Sequence, residues 1–411
     1  MAPSTKEPMG DRLEPLLTYH PFTRLNALLA DLRTPQGVAV LNLGVGEPQF
    51  AAPPLVREVL EREAAGWSRY PPSGGTPEFR TAVAEWLGRR YRLPPGLIDP
   101  DRNILPAPGS REALFQVALS AVALKANGTP PKVLIPNPFY HVYAGAAAAA
   151  GAEPVFVPAG PETGFLPDYE QLPADMLDRT ALAFLSTPAN PQGAVADLGR
   201  LESLLTLARR HGFVLAVDEC YAEIYDRAPP PGALEAAARL GGGLDHLVVL
   251  HSLSKRSSVP GLRSGFIVAT ADMIRRGLQL VNYGGAGVPL PVLAASAALW
   301  REETHVAENR AKYRRNMDAA ERILGNSLGF RRPAGGFFLW LEVGDSEAAA
   351  RRLWAEAGLR VLPGAYMGRA DAQGRHPGQR YIRVALVHEP EAVVEALTRL
   401  AGTLAPQAKG E

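Results

Sequence analysis

One lysine of the chain lies where its amine could do chemistry. Lys255 follows the apolar run 247–250, with Ser252 and Ser254 just before it and Arg263 eight residues after it. The apolar run is typical of a buried strand, and hydroxyls with a guanidinium at a strand end can bind a phosphate monoester. An amine beside a phosphate site favours a Schiff base with a phosphorylated aldehyde. Taken alone, the stretch is explained more simply by a solvated lysine in a surface loop.

An acid follows a second apolar run, 214–217. Asp218 comes directly after this run, and Tyr221 lies three residues further on. A carboxylate at the end of a buried strand must be paired or must face a cleft. The cofactor pyridoxal 5'-phosphate needs such an acid at its ring nitrogen, and Tyr221 could hydrogen-bond the phenolic oxygen and lower the pKa of the Lys255 imine. The alternative is a capped strand end with a packed tyrosine.

Two further polar groups follow predicted strands, where ligands of open parallel sheets bind. Gly109, Ser110 and Arg111 open a helix whose free N–H groups and dipole would bind a phosphate. Ser110 as a plain N-cap is the alternative. Asn190 precedes a proline that fixes the turn, so its amide could face a ligand or could simply form an Asx-Pro turn.

Two other positions fit the same ligand. Tyr140 follows the strand-like run 133–135 and could stack on the cofactor ring, although core packing also explains a lone aromatic. Gly46 lies in the glycine-rich turn 44–48, where the backbone could approach a ligand closely or could simply turn from strand to helix. Together with the residues above, these positions supply the groups that pyridoxal 5'-phosphate requires.

The elements that would hold these residues alternate between strand and helix. This alternation predicts an α/β protein with a mostly parallel sheet between helices. The predicted strands of this sheet are 133–135, 154–157, 181–186, 213–217, 247–250 and 265–269. A strand is also predicted at 38–43. A smaller α+β domain is predicted from the long helical region 292–324, the strands 335–341 and 381–387, and the helices 347–357 and 390–401.

The length of 411 residues is enough for two domains. We expect these divisions: a disordered N-terminus (1–12), a segment packing with the small domain (13–48), a large cofactor-binding domain (49–288), a small C-terminal domain (289–405) and a tail (406–411).

The composition narrows the class of protein. Hydrophobic residues make up 46% and the net charge is +1, so no electrostatic argument favours nucleic acid or a membrane surface. The single cysteine excludes an internal disulfide, and residues 1–12 lack the apolar core of a signal peptide. No apolar run reaches transmembrane length, and the eight histidines lack metal-ligand spacing. We therefore expect a cytoplasmic protein without a metal.

Over residues 20–400 the chain resembles the class I and II aminotransferases, which are fold-type-I enzymes dependent on pyridoxal phosphate. The resemblance implies that Lys255 is the Schiff-base lysine, that Asp218 and Tyr221 contact the ring nitrogen and phenolic oxygen, and that Tyr140 stacks on the ring. It places Asn190 at both the ring oxygen and the substrate carboxylate. The implied phosphate site consists of Gly109, Ser110, Arg111, Ser252, Ser254 and Arg263.

The same resemblance assigns residues to the substrate and to a second subunit. Arg383 matches the arginine that binds the substrate α-carboxylate, and Gly46 matches the backbone that touches the substrate. Tyr70 matches a tyrosine that reaches the partner's phosphate, which implies a homodimer. The expected reaction moves an amino group between glutamate or 2-oxoglutarate and an acidic keto or amino acid.

Within this family the sequence is most similar to transaminases of N-succinyl-L,L-diaminopimelate, in lysine and diaminopimelate biosynthesis. The runs that carry the likeness are 109–115, 136–140, 218–221, 251–257 and 289–291. Gln192 stands where the family usually has threonine, which leaves the acyl group of the substrate open. Alternatives on the same fold are an aspartate or aromatic aminotransferase, a pyridoxal-phosphate C–S β-lyase, or a non-enzymatic ligand sensor, which would need an attached DNA-binding module.

Overall fold

A seven-stranded sheet forms the centre of the computed structural model, which describes residues 20–125, 129–285 and 287–404. Its strand order is β2-β8-β7-β6-β5-β3-β4. The strands of the described chain are β1 (Leu41–Asn42), β2 (Ile104–Ala107), β3 (Lys132–Asn137), β4 (Glu153–Pro158), β5 (Thr180–Ser186), β6 (Val214–Asp218), β7 (Leu247–Ser252), β8 (Gly265–Val268), β9 (Phe338–Glu342), β10 (Leu359–Arg360), β11 (Leu362–Pro363) and β12 (Tyr381–Ala385).

The central sheet is parallel from β4 to β7 and becomes antiparallel at its other edge. β8 runs antiparallel to both β7 and β2. Strands β5, β6 and β7 are buried along their whole length, as expected for apolar strands covered by helices on both faces. The predicted α/β fold with a mostly parallel sheet is confirmed.

Helices cover both faces of this sheet. The α-helices are Pro21–Leu29, Pro54–Arg62, Pro77–Tyr91, Pro100–Asn103, Ser110–Lys125, Val142–Ala149, Ala174–Asp178, Leu198–His211, Ala233–Leu240, Leu253–Arg256, Ala271–Gly284, Leu290–Arg301, Thr304–Leu324, Ser346–Ala357 and Pro390–Leu404. Short 3₁₀ turns lie at Ala64–Ser68, Pro161–Thr163, Tyr169–Gln171, Pro260–Leu262, Ser327–Gly329 and Gly364–Tyr366.

The helix Leu198–His211 illustrates how the sequence sets helix ends. Asp197 caps its first turn by accepting a hydrogen bond from the backbone N–H of Arg200 at 2.7 Å. Gly212 ends it in the left-handed conformation, with φ of +68°, which glycine adopts without steric cost. The apolar residues between these ends face the core formed with β5 and β6.

The C-terminal residues form two smaller sheets. β11, β12 and β9 make an antiparallel sheet, and β10 pairs in parallel with β1. The segment around β1 therefore contacts the C-terminal elements, while the proposed division of the chain into domains stays a prediction. The boundaries proposed at residues 48 and 288 stay predictions. The expected disorder at 1–12 and the tail at 406–411 lie outside the described residues.

The predicted long helical region 292–324 is two helices in the structure, so the prediction of one continuous helix was wrong. The break falls at Glu302 and Glu303, between Leu290–Arg301 and Thr304–Leu324. The Glu302 carboxylate accepts hydrogen bonds from the backbone N–H groups of Thr304 and His305, at 2.5 and 3.1 Å. Because these are orphan donors of a new first turn, the acid starts the second helix.

Four predicted strands are shorter in the structure. Only Leu41–Asn42 of the run 38–43 is a strand, and the predicted strands 265–269 and 381–387 end at Val268 and Ala385. β9 begins at Phe338 rather than at residue 335, because Gly336 takes a φ of +78° that interrupts the extended backbone. Within the described ranges, no helix is long and apolar enough to cross a membrane.

Candidate active site

The carboxyl ends of the central strands meet at one cavity. β6 ends at Asp218, β7 ends three residues before Lys255, and β5 ends four residues before Asn190. The predicted site residues that line this cavity are Gly46, Ser110, Arg111, Tyr140, Asn190, Asp218, Tyr221, Lys255 and Arg383. Topology alone explains most of this convergence, because parallel strands end at the same edge of a sheet.

The amine of Lys255 is the reactive nitrogen of the cavity. The residue lies in the short helix Leu253–Arg256, whose first turn is capped by Ser252 accepting from the Ser254 N–H at 3.1 Å. Its Nζ donates a hydrogen bond to the carbonyl of Gly46. Burial lowers the pKa of Lys255 to about 8, and the nearby guanidinium of Arg383 acts in the same direction. About a tenth of this amine is therefore unprotonated at pH 7, far more than for an ordinary lysine.

Asp218 is a buried carboxylate with no lysine or arginine partner in the described part of the chain. The Tyr143 hydroxyl donates to its Oδ2 at 3.2 Å, and the Cys220 backbone N–H donates to its Oδ1 at 3.2 Å. Burial raises the pKa of Asp218, while these hydrogen bonds act to lower it. No lysine or arginine among the described residues forms a salt bridge with it, although a buried acid usually has such a partner. The arrangement suits a cationic ring nitrogen.

Arg383 is a buried guanidinium that forms no salt bridge within the described ranges. It projects from β12 and donates to Asn190 Oδ1 at 3.0 Å and to the Gly44 carbonyl at 2.7 Å. Its Nε has no hydrogen-bond partner among the described residues, and burial lowers the pKa of the group to about 10. The Phe338 ring lies 4.3 Å from the guanidinium carbon. This geometry leaves a cationic donor ready for a carboxylate.

The predicted phosphate residues lie around the start of the helix Ser110–Lys125. Gly109 has a φ of +103°, which favours glycine, and a Cβ there would lie 2.5 Å from Nη2 of Arg263 and displace this guanidinium. Arg263 pairs with Glu112 at 2.7 Å. Basic and N–H donors therefore meet at one helix N-terminus, which is favourable for an anion.

The two predicted serines lie behind that helix start. Ser252 and Ser254 are both buried, and the Ser252 hydroxyl donates to Ser254 Oγ at 3.0 Å. Neither serine lines the cavity, and neither do Gly109 and Arg263. Ser252 also caps the short helix Leu253–Arg256. Its hydroxyl therefore has a structural role whether or not it also contacts a ligand.

The aromatic residues form the walls of the cavity. Tyr140 accepts a hydrogen bond from Arg111 Nε at 3.2 Å, and its ring packs edge-on against Tyr143. Burial raises the pKa of Tyr221 well above its ordinary value, so its hydroxyl keeps its hydrogen and can donate it. Tyr70, in contrast, is fully exposed and lies outside the cavity lining.

Sequence reasoning missed several residues that line the cavity, among them Phe22, His141, Tyr143, Ser186 and Phe338. Tyr143 could have been found, because it lies three residues after Tyr140 and so shares its side of the local helical turn. Phe22 and Phe338 come from elements outside the parallel sheet, and no local pattern marks them.

The residues of the cavity fit pyridoxal 5'-phosphate. Asp218 suits the ring nitrogen, and the Lys255 amine has the lowered pKa that attack on an aldehyde requires. The glycine at position 109 leaves space for a cationic cradle. These features are independent of one another, and each meets a different chemical demand of this cofactor.

Comparisons with known proteins agree with this fit. Residues 38–400 match the family model described as aminotransferase class I and II. The chain is 33% identical over 392 residues to an LL-diaminopimelate aminotransferase of Desulforudis audaxviator, covering 93% of this chain and 95% of that protein.

Two solved structures are similar over nearly the whole chain. An aminotransferase from Neisseria meningitidis superposes with a TM-score of 0.88 and 38% identity, covering 95% of this chain and 100% of that one. A probable N-succinyldiaminopimelate aminotransferase from Thermus thermophilus superposes with a TM-score of 0.81 and 25% identity, covering 94% and 100%.

Proposed function

The chain belongs to the class I and II aminotransferases, which depend on pyridoxal 5'-phosphate, and on that basis we propose that it moves an amino group between glutamate and a keto acid of the diaminopimelate type. The proposed acceptor is N-succinyl-2-amino-6-oxopimelate, whose product is N-succinyl-L,L-diaminopimelate. Small amino and keto acids are the substrates of this reaction class.

One observation carries the proposal: the buried guanidinium of Arg383, which pairs with no acid among the described residues, lines the same cavity as the Lys255 amine. The Arg383 Nε is unpartnered among the described residues, and Lys255 lines the same cavity. An α-amino acid bound by its carboxylate at Arg383 would present its Cα to the interior, where Lys255 lies. An amino-acid carboxylate supplies the missing charge.

Bound pyridoxal 5'-phosphate would supply an electron sink for the negative charge that develops at the substrate Cα, and an aldehyde carbon to carry the amino group between substrates. We assign three roles to this chain's residues. The Lys255 amine takes the proton from the substrate Cα, because its lowered pKa leaves it a base near neutral pH. Asp218 holds the proton of the ring nitrogen, and Tyr221 donates to the phenolic oxygen.

The remaining assignments concern binding. Arg383 and Asn190 would hold the α-carboxylate of each substrate in turn, since their side chains are already joined at 3.0 Å. Gly46 would present its backbone to the substrate beside Lys255. A Cβ at position 46 would lie 2.5 Å from the Phe338 ring, so this close approach requires glycine.

The phosphate group would be held at the N-terminus of the helix Ser110–Lys125. Its proposed donors are Gly109, Ser110, Arg111, Ser252, Ser254 and Arg263. Tyr140 would stack on the ring. The full exposure of Tyr70 supports its proposed role in a homodimer, where it would reach the partner's site. A cytoplasmic location stays a prediction.

The choice of substrate rests on the relatives. One of them is named for N-succinyldiaminopimelate and another for LL-diaminopimelate, and both substrates carry a second acidic group. The second candidate is therefore direct transamination of LL-diaminopimelate, which the relative with 33% identity favours.

A donor panel with 2-oxoglutarate as acceptor tests the proposal. Glutamate formation is measured for N-succinyl-L,L-diaminopimelate, LL-diaminopimelate, aspartate and phenylalanine. The proposal expects kcat/KM for the succinylated donor to exceed the others at least about tenfold, as one well-placed charged contact allows. A higher value for LL-diaminopimelate would select the second candidate, and a higher value for aspartate or phenylalanine would contradict both. Release of thiol and pyruvate from cystathionine, without glutamate formation, would identify a C–S lyase.

A further inference from the structure

The cavity contains a histidine to which the proposed reaction gives no role. His141 lines the cavity next to Tyr140. Its ring centre lies 5.0 Å from that of His20 and 6.4 Å from that of Phe22, in both cases edge to face. The imidazole therefore stands at the meeting point of the loop after β3 and the N-terminal helix Pro21–Leu29.

The lining of the cavity has a surplus of potential positive charge. Among the described residues that line it, Arg111, Lys255 and Arg383 can be cationic, whereas Asp218 is the single acid. A lining of this kind favours substrates with more than one carboxylate.

The three cationic groups of the lining already have contacts or assigned roles. Arg111 donates to the Tyr140 hydroxyl at 3.2 Å beside the predicted phosphate site. Arg383 is proposed to take the α-carboxylate, and Lys255 to take the proton from Cα. A second carboxylate on the substrate thus requires another hydrogen-bond donor. Among the described lining residues, the hydroxyls of Tyr143, Ser186 and Tyr366 are already engaged by Asp218, the Pro188 carbonyl and Glu347. The N–H of His141 is a lining donor to which no role has been assigned.

Building on the proposed function, we propose that His141 binds the side-chain carboxylate of dicarboxylic substrates. His20, packed edge-on against it, would hold the imidazole in place as the N-terminal helix lies over the cavity. His141 would then be a specificity-determining residue, and Arg383 would remain the contact for the α-carboxylate that all amino acids share.

The charge state of the ring is compatible with this role. Burial lowers the pKa of His141 to about 3, and the nearby His20, Arg111 and Arg383 lower it further. The neutral imidazole keeps one N–H that it can donate to a carboxylate. A bound carboxylate would also offset the surrounding positive charges, which favours binding of an anion at this point.

The test compares two unreactive substrate analogues on the holoenzyme. Glutarate has the two carboxylates of glutamate, and butyrate has one. Their dissociation constants are measured by isothermal titration for the wild type and for His141→Phe, which keeps a ring but removes the N–H. We expect the glutarate constant to rise roughly ten- to hundredfold, the range for a lost hydrogen bond to a charged group, and the butyrate constant to stay within about twofold.

Two further variants distinguish the loss of a specific contact from a general effect of the substitution on folding. His141→Asn keeps an amide donor and should give an intermediate constant for glutarate. His246→Asn is the matched control, because His246 lies at the start of β7, away from the cavity lining, and asparagine tolerates its φ of +61°. This control should bind both analogues as the wild type does.

The outcomes separate this inference from the proposed function. Equal weakening of glutarate and butyrate in His141→Phe, or no change in either, would overturn the role of His141 while glutamate turnover by the wild type still supported the transaminase. A wild type that binds glutarate no better than butyrate would also overturn it. Failure of the wild type to transaminate glutamate would overturn both.

Discussion

Replacing Lys255 by methionine should stabilise the cofactor-free protein while removing its reactive amine. Burial lowers the pKa of Lys255 from 10.5 to about 8, and each pH unit corresponds to about 1.4 kcal/mol. At neutral pH the buried, protonated amine therefore lowers the free energy of unfolding by an amount on the order of 3 kcal/mol. Its hydrogen bond to the Gly46 carbonyl offsets about 1 kcal/mol. We expect the free energy of unfolding to rise by roughly 2 kcal/mol in the variant at pH 7.

The direction of the pH dependence follows from proton linkage. Between pH 8 and 10.5 the unfolded chain binds a proton at this lysine that the folded protein has already released. The wild type therefore becomes more stable as the pH rises through this window. The gain in the free energy of unfolding that methionine gives should be complete below pH 8 and mostly lost at pH 10.

Urea unfolding of the two cofactor-free proteins at pH 7 and pH 10 measures this difference. Lys312→Met is the matched control, because Lys312 pairs with Glu389 at the surface and such pairs contribute less than about 1 kcal/mol. A Lys255→Met variant no more stable than the wild type at pH 7 would refute the argument. A difference in unfolding free energy that is the same at pH 7 and pH 10 would refute it as well.

Three further substitutions test the assigned roles. Asp218→Ala should retain cofactor at its phosphate but lose roughly 10²–10³-fold in kcat with glutamate, the range for a lost electrostatic contact in a transition state; wild-type rates would contradict the role of this acid. Arg383→Lys should raise KM for glutamate roughly ten- to hundredfold in steady-state kinetics, because lysine cannot make the bidentate contact; an unchanged KM would contradict this role. Tyr70→Phe should weaken cofactor binding about tenfold in equilibrium dialysis, and an unchanged affinity would contradict a contact from the partner.

The sequence could predict the part of the site that follows the parallel strands. Asp218 and Lys255 come just after the apolar runs of β6 and β7, which are neighbours in the sheet. Because parallel neighbours end at one edge, order along the chain is enough to bring such residues together. The pairing of Arg383 with Asn190 required the family resemblance, since β12 belongs to a different sheet.

The sequence could not predict contacts made between separate elements. His141 meets His20 only because the N-terminal helix packs over the cavity, and Phe338 reaches Arg383 across a pair of antiparallel strands. The helix break at Glu302 was missed for a related reason. Helical periodicity continues through it, and only the hydrogen bonds of its carboxylate show where the second helix starts.

Chemical rescue of Lys255→Ala by small amines tests the central claim most directly. The conversion of bound cofactor by glutamate is followed by absorbance in a single turnover, with and without added methylamine. If the Lys255 amine takes the Cα proton, the variant should be slowed by at least roughly 10²–10⁴-fold, the usual contribution of a general base. Methylamine in the vacated space should then restore part of the rate. A variant that converts glutamate within tenfold of the wild-type rate would contradict the claim.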